Sequence, residues 1–276
     1  MPALSAPPWP GRPDDRRVRP GVFALMKRRL IAFDLDGTLA VTKSAISDLM
    51  ATRLKDLLSL YEVCVISGGK FDQFEKQLIE RLDVSPEQMS RLHIMPTSGT
   101  RYFRFDDRSL EWVMEYAQDL SPLKRAEIVE VLTTGAKELG YWETEPYGEI
   151  IEDRGSQITY SALGQEAPAN LKYAWDPDGM KKRSLRDFAA ERLPDLEVHV
   201  GGTTSVDVTE AGIDKAYGMR QLMNLLEMTK QEILFFGDKL EEGGNDYPVK
   251  AMGIDSIAVK SWEETALALE AIIEVS

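Results

Sequence analysis

Short apolar runs and longer apolar stripes at helical spacing take turns along this chain. The run Ile31-Ala32-Phe33 is rich in strand formers and ends in carboxylates at alternate positions, Asp34 and Asp36, followed by Gly37 and Thr38. That pattern predicts a buried strand delivering its carboxyl end into a loop. Over residues 44–60 apolar side chains recur at Ile46, Leu49, Met50, Leu54, Leu57 and Leu58, a helical stripe with Ser44 as its expected N-cap. A continuous strand over 61–66 leads into Ser67-Gly68-Gly69-Lys70, then a helix over 71–82. A short strand over 92–95 and a hairpin arm over 99–105 follow.

From about residue 110 the rhythm changes. A helix over 121–139 precedes strands at 149–153 and 157–161, a polar connection, a helix over 181–192 and a strand over 196–200. This block breaks the strand–helix alternation, as an inserted α+β domain does. Alternation resumes after 205, with helices over 214–227 and 262–275 and strands over 232–236 and 254–259. The expected fold is α/β: a doubly wound, Rossmann-like core with a parallel sheet over 26–110 and 205–276, carrying an inserted α+β cap domain over 111–204. Residues 1–25, with prolines at 2, 7, 8, 10, 13 and 20, are expected to be a disordered extension, Met26 marking an alternative start.

Composition narrows the chemistry. The 276 residues are 43% apolar, enough for a sizeable core, and carry a formal net charge of -13. That balance argues against a nucleic-acid backbone or an anionic membrane as partner. No apolar stretch suits a signal peptide or a membrane span, so a cytoplasmic protein is expected. A single cysteine and two histidines leave no disulfide framework, cysteine-based zinc cluster or histidine-rich site. Acid–base work falls to carboxylates and lysines.

Parallel sheets gather active sites at the carboxyl ends of their strands, and Asp34, Asp36, Ser67 and Asp238 all take that position here. Asp238 follows the apolar run Ile233-Leu234-Phe235-Phe236-Gly237 and precedes the glycine-rich stretch Gly243-Gly244-Asn245-Asp246. Lys215 stands at the start of a helix, within reach of a bound phosphoryl group. The residue types then assign roles. Asp34 is the expected nucleophile, forming an aspartyl-phosphate, and Asp36 is expected to move the proton of the leaving and entering oxygens. Mg²⁺, held by Asp34, a backbone carbonyl at Asp36 and Asp238, is expected to offset their charge. Ser67, the Gly68 amide and Lys215 hold the transferring group.

Asp34-x-Asp36-Gly37-Thr38, Ser67-Gly68-Gly69, Lys215 and Gly237-Asp238 with Asn245-Asp246 resemble the four motifs of the haloacid dehalogenase-like phosphotransferases. The insert resembles the cap of their sugar-phosphate branch. Glu152-Asp153-Arg154 through Ser161-Ala162-Leu163-Gly164, and Gly201 through Val208 ending in Gly212-Ile213-Asp214-Lys215, are similar to signatures of the eukaryotic-type phosphomannomutases. The resemblance covers roughly 28–276. It implies Arg154 as a ligand of the phosphate not being transferred, Ser205 and Asp207 on the sugar hydroxyls, and a homodimer through the cap. Lys172 and Lys43 fall where that family has arginines, and Gln165 where it has a third. Each lysine lacks the bidentate fork that suits phosphate. The loop after Asp246 is also shorter than the family's. A phosphomannomutase-type transfer between the 6 and 1 positions of a hexose is expected, with a Mg²⁺-dependent sugar-phosphate phosphatase as the alternative. A non-catalytic binding module is disfavoured because Asp34 and Asp36 are both present.

Overall fold

The computed structural model describes residues 28–276. The expectations for residues 1–25 and Met26 lie outside the described residues. Eleven strands form two sheets among them. In chain order these are β1 (Leu30–Phe33), β2 (Glu62–Ile66), β3 (Leu92–Met95), β4 (Arg101–Asp106), β5 (Glu111–Ala117), β6 (Ile151–Asp153), β7 (Gln157–Ser161), β8 (Leu196–Val200), β9 (Ser205–Glu210), β10 (Ile233–Gly237) and β11 (Asp255–Ala258). The larger sheet runs β11-β10-β1-β2-β3-β4-β5, parallel from β11 to β3 and closed by the antiparallel hairpin β4–β5. The smaller sheet, antiparallel throughout, runs β6-β7-β9-β8.

Helices cover both faces of the large sheet because its central strands are apolar on both sides. In β1, Ile31 and Phe33 enter one core with α1 (Asp48–Leu58), α2 (Phe71–Gln77), α3 (Pro86–Met89) and α9 (Trp262–Glu274). Leu30 and Ala32 enter the other, where Met219 and Leu222 of α7 (Lys215–Leu225) and Val249 of α8 (Tyr247–Ala251) pack. This is the near-continuous hydrophobic strand of a two-sided parallel sheet. A third core lies beneath the small sheet, where α4 (Pro122–Glu138) and α6 (Met180–Arg192) supply Ile128, Leu132, Leu185 and Ala189 against Ile158, Tyr160, Val206 and Val208. A short α5 (Ala169–Trp175) occupies the stretch expected to be a polar connection.

Several boundaries differ from the sequence reading. Helix α1 starts at Asp48, capped by Ser47, whose side chain accepts from the Met50 amide at 3.2 Å, rather than by Ser44. The helix expected over 71–82 ends at Gln77 and tightens into a 3₁₀ turn at Ile79–Arg81. Strand β5, within the expected 111–204 insert, hydrogen-bonds to β4 in the large sheet, while β9, beyond it, belongs to the small sheet. The sheet change therefore falls between β5 and α4 on entry and after β9 on exit. Alternating Trp112, Met114 and Tyr116 in β5 serve an edge strand that is largely exposed, so little burial marks the boundary in the sequence.

Candidate active site

The parallel register sets β1 and β10 side by side, Phe33 opposite Phe236, and the Asp34 amide donates to the Phe236 carbonyl at 3.0 Å. Asp34 and Asp238 thus leave neighbouring strand ends together. With Asp246 they form a group of carboxylates whose oxygens all lie within 4.8 Å of one another. Two glycines permit this approach. A Cβ on Gly37, whose φ is +91°, would stand 2.5 Å from Asp238 Oδ2, and one on Gly237 would stand 2.5 Å from Asp246 Oδ2.

Lys215 is driven into this group by α7, which begins at that residue after Asp214 accepts from the Tyr217 amide at 2.6 Å. Its ammonium donates to Asp34 Oδ1 and to Asp246 Oδ1, the latter at 2.6 Å, and the side chain is 2% exposed. Burial disfavours the Lys215 charge, but the pull of Asp246 and Asp34 outweighs it and holds the ammonium above its ordinary range. Burial pushes Asp34 up to about 7; Lys215 opposes that rise, and the charges of Asp246 and Asp238 add to it. Burial likewise raises Asp238.

One ammonium against three carboxylates leaves two negative charges uncompensated when all three are ionised. Hard oxygen donors so gathered suit a divalent cation such as Mg²⁺, so the group has the chemistry of a metal site. Asp36 does not bring its carboxylate there. Its Oδ1 accepts from the Lys43 amide at 2.8 Å and Gln77 Nε2 at 3.2 Å, and its Oδ2 from Gln73 Nε2 at 2.9 Å. Asp246, quoted in the sequence but given no role, takes the third carboxylate position. Gln73 and Gln77 were missed too: their i,i+4 spacing on α2 puts them on one face, but nothing in the sequence aims that face at Asp36.

Ser67 and Gly68 begin the loop after β2, which the turn at 97–98 braces. The Ser98 amide donates to the Ser67 carbonyl and the Thr97 amide to the Gly69 carbonyl, both at 3.0 Å, from residues with φ of +56° and +49°. Arg154 arrives from the β6–β7 turn and donates to the Gly68 carbonyl, while its Nε and Nη2 meet Glu152 Oε2 at 2.7 and 2.5 Å. In this state the guanidinium that the sequence assigned to a phosphate is engaged by the protein itself.

Lys43 and Lys172 converge on Gln165. Lys43 Nζ donates to Gln165 Oε1 at 2.7 Å and to its carbonyl at 3.2 Å, and Lys172 Nζ to that carbonyl at 2.8 Å. With its oxygen turned to an ammonium, the carboxamide leaves Nε2 buried and without a partner. These three residues line a cavity of about 420 Å³ that also touches Thr42, Ala167, Tyr173 and Thr203. Burial and the neighbouring Lys43 ammonium lower Lys172 to about 8. Burial lowers Lys43 as well, with Arg154 adding to the repulsion.

Asp207, on β9, is half-buried; it accepts from Thr159 Oγ1 at 2.7 Å, and loss of surrounding water raises its carboxyl. Ser205 stands two residues earlier, opposite Ser161 of β7. Asp34, Asp238 and Lys215 therefore meet directly. Asp36 is tied instead through the Lys43 amide to the Gln165–Lys172 cluster, Arg154 reaches Gly68, and Ser205 and Asp207 lie on the small sheet.

Comparison with known proteins finds likeness in both sequence and fold. A family model described as eukaryotic phosphomannomutase matches residues 146–275. A phosphomannomutase of Oryza sativa subsp. indica is 27% identical over 252 residues, covering 84% of this chain and 88% of its own. Phosphomannomutase 1 of Dictyostelium discoideum is 23% identical over 251 residues, covering 82% and 88%. Among solved structures, a haloacid dehalogenase-like hydrolase from Bacteroides thetaiotaomicron superposes with a TM-score of 0.59 at 20% identity, covering 89% of this chain and 100% of its own. An IMP-bound IMP-nucleotidase from Plasmodium falciparum gives 0.65 at 15% identity, covering 91% and 68%. At those identities the likeness speaks for the fold alone. Taken with the strand-end carboxylates, these matches make the chain a phosphomannomutase-like enzyme on a haloacid dehalogenase-type core.

Proposed function

We propose that the protein transfers a phosphoryl group between the 6 and 1 positions of a hexose, mannose foremost, through an aspartyl-phosphate on Asp34. The observation that carries this reading is the pair of separate cationic stations. Lys215 stands in the Asp34 cluster, and Lys43 with Lys172 stands at the Gln165 cavity, with Arg154 between the sheets. A bisphosphorylated sugar needs two anion seats; simple hydrolysis needs one.

In the first half-reaction Asp34 Oδ2 attacks one phosphorus of a hexose 1,6-bisphosphate, Lys215 occupying Oδ1, and the ester bond to that hexose oxygen breaks, leaving a monophosphate. Asp36, oriented by Lys43, Gln73 and Gln77, gives its proton to the departing oxygen. In the second half it takes the proton of the free 1- or 6-hydroxyl of a bound hexose monophosphate, whose oxygen attacks the aspartyl-phosphate, breaking its bond to Asp34 and regenerating the bisphosphate. Ser67, the Gly68 amide and Lys215 hold the equatorial oxygens. Asp34, Asp238 and Asp246, with the Asp36 backbone carbonyl, would hold a Mg²⁺ ion, which when bound removes the repulsion between the attacking carboxylate and the phosphoryl oxygens. Arg154, Lys43 and Lys172 take the phosphate that stays behind, and Ser205 and Asp207 the sugar hydroxyls.

In this reading the unit from α4 to β9 is the substrate-binding cap, and two copies meet through its outer face, where Leu123 and Met180 are exposed. Light scattering on the purified chain tests that association. Among the described residues no helix is long and apolar enough to cross a membrane; a cytoplasmic location remains part of the proposal. The phosphatase reading is favoured by Gln165 and by lysines in place of forks, which anchor a bisphosphate less firmly. Phosphorus NMR on protein, Mg²⁺, mannose 6-phosphate and catalytic glucose 1,6-bisphosphate decides between the two. Mannose 1-phosphate without free phosphate supports the mutase; free phosphate alone overturns it.

A further inference from the structure

Glu152 has no part in the chemistry above, yet it stands among the cations of the site. It lies on β6 with its side chain 15% exposed. Oε2 accepts both Arg154 Nε and Nη2, and Oε1 faces Lys70 Nζ at 2.8 Å. Lys70 ends the Ser67–Gly68–Gly69 loop and is the N-cap of α2, so this ion pair runs from the small sheet to the large one. Beside it Arg154 donates to the Gly68 carbonyl, and Gln157 Nε2 lies 3.5 Å from the same oxygen. One carboxylate therefore ties three things together: the phosphate loop, the cap and the guanidinium.

The Nε–Nη2 edge of an arginine is its forked donor for a carboxylate or a phosphate, and one edge serves one anion at a time. Glu152 occupies that edge here. Removing that carboxylate also leaves Arg154, whose side chain is largely buried, without its ion-pair partner and beside the partly exposed Lys70.

We infer that Glu152 is a positioning residue: it latches the cap onto the 67–70 loop, parks Arg154 in the absence of substrate, and yields the guanidinium edge to the retained phosphate. The inference rests on the reading of Arg154 as that phosphate's ligand. The two jobs pull apart on mutation. Glu152→Gln frees the edge, so the anion binds more tightly, and opens the latch, so turnover slows. Lys70→Met opens the latch from the other side but leaves Glu152 on Arg154, so binding does not tighten.

The test uses the full chain with Mg²⁺ and three readouts: calorimetric binding of mannose 6-phosphate, kcat, and amide hydrogen exchange over residues 150–158. Expected for Glu152→Gln are a Kd for mannose 6-phosphate about fivefold lower, kcat about tenfold lower and exchange about tenfold faster. Lys70→Met should match it in kcat and exchange without the gain in binding. Weaker binding in Glu152→Gln, or unaltered exchange in both variants, overturns the inference, since a merely structural glutamate gives no opposed change in Kd and kcat. Binding and exchange need no turnover. If the wild type turns over no hexose phosphate, the proposed reaction falls, while these two readouts still decide the latch.

Discussion

A lysine that is 2% exposed keeps its charge only because partners replace the water it has lost, and Lys215 has two in Asp34 and Asp246. Cutting it back leaves two buried carboxylates facing a third. Lys215→Ala should therefore cost about 3–5 kcal/mol of stability, the range for breaking a buried pair by removing one partner. Mg²⁺ in the medium should restore part of that loss, because a divalent cation neutralises the same carboxylates. Urea titration with and without Mg²⁺ reads both effects, and a loss unaffected by the ion would argue against a metal site. Lys172 makes a pH prediction. Burial and then Lys43 lower it to about 8, with Asp36 pulling weakly the other way. It is charged below that pH and neutral above it, so the cavity loses a cation as pH rises. KM for hexose phosphates should be flat from pH 6 to 7.5 and climb by up to about tenfold per unit above 8. A KM level through pH 9.5 would remove Lys172 from the phosphate seat. At this scale the sequence exposed Asp34, Asp238 and Lys215, because strand ends and a helix start place them without tertiary knowledge. It hid what turns Asp36 aside: two uncharged glutamines carry no signal until α2 packs beneath the loop.

Between residue and fold, the element that matters most is α7, since its first residue is Lys215. It is held close to the turn at 97–99 by Gly218: a Cβ there would stand 2.7 Å from the Ser98 carbonyl oxygen and 3.0 Å from Gly99 Cα. Backbone cannot yield as a flexible side chain does. Gly218→Ala should push α7 outward and draw the ammonium from its carboxylates, costing about 1–3 kcal/mol as overpacking does. It should also lower turnover, although residue 218 touches no reacting atom. Thermal unfolding and kcat on one preparation check this; a stable, fully active variant would show that α7 has slack. Elements buried on both faces were the most legible. The apolar runs of β1, β2 and β10 emerge within a residue or so of their observed limits because burial on both sides leaves no polar position to blur them. Strand β5 did not, being an exposed edge, and α5 was lost in a polar stretch around Lys172. The glutamate between Arg154 and Lys70 was legible only as part of a signature, since its partner lies more than eighty positions away.

At the scale of the whole molecule, the two sheets differ in how much chain each needs. All four strands of the small sheet, with α4 to α6 packed on it, come from one uninterrupted stretch ending at Glu210. The large sheet is interrupted by that stretch, and its central pairing sets Leu30 against Ile233. Closing so long a loop carries an entropic cost that local pairings avoid. The small sheet should accordingly gain protection first in refolding, and pulse-labelled hydrogen exchange would record β7 and β9 ahead of β1 and β10. Simultaneous protection of all four would refute that order. The carboxylates of the site are also assembled late, since Asp34 waits for Asp238 and Asp246 to be made and folded beside it. A nascent chain on the ribosome thus carries an exposed, half-paired strand β1 through most of its synthesis. Its vulnerability to aggregation ends only when the last quarter of the protein emerges.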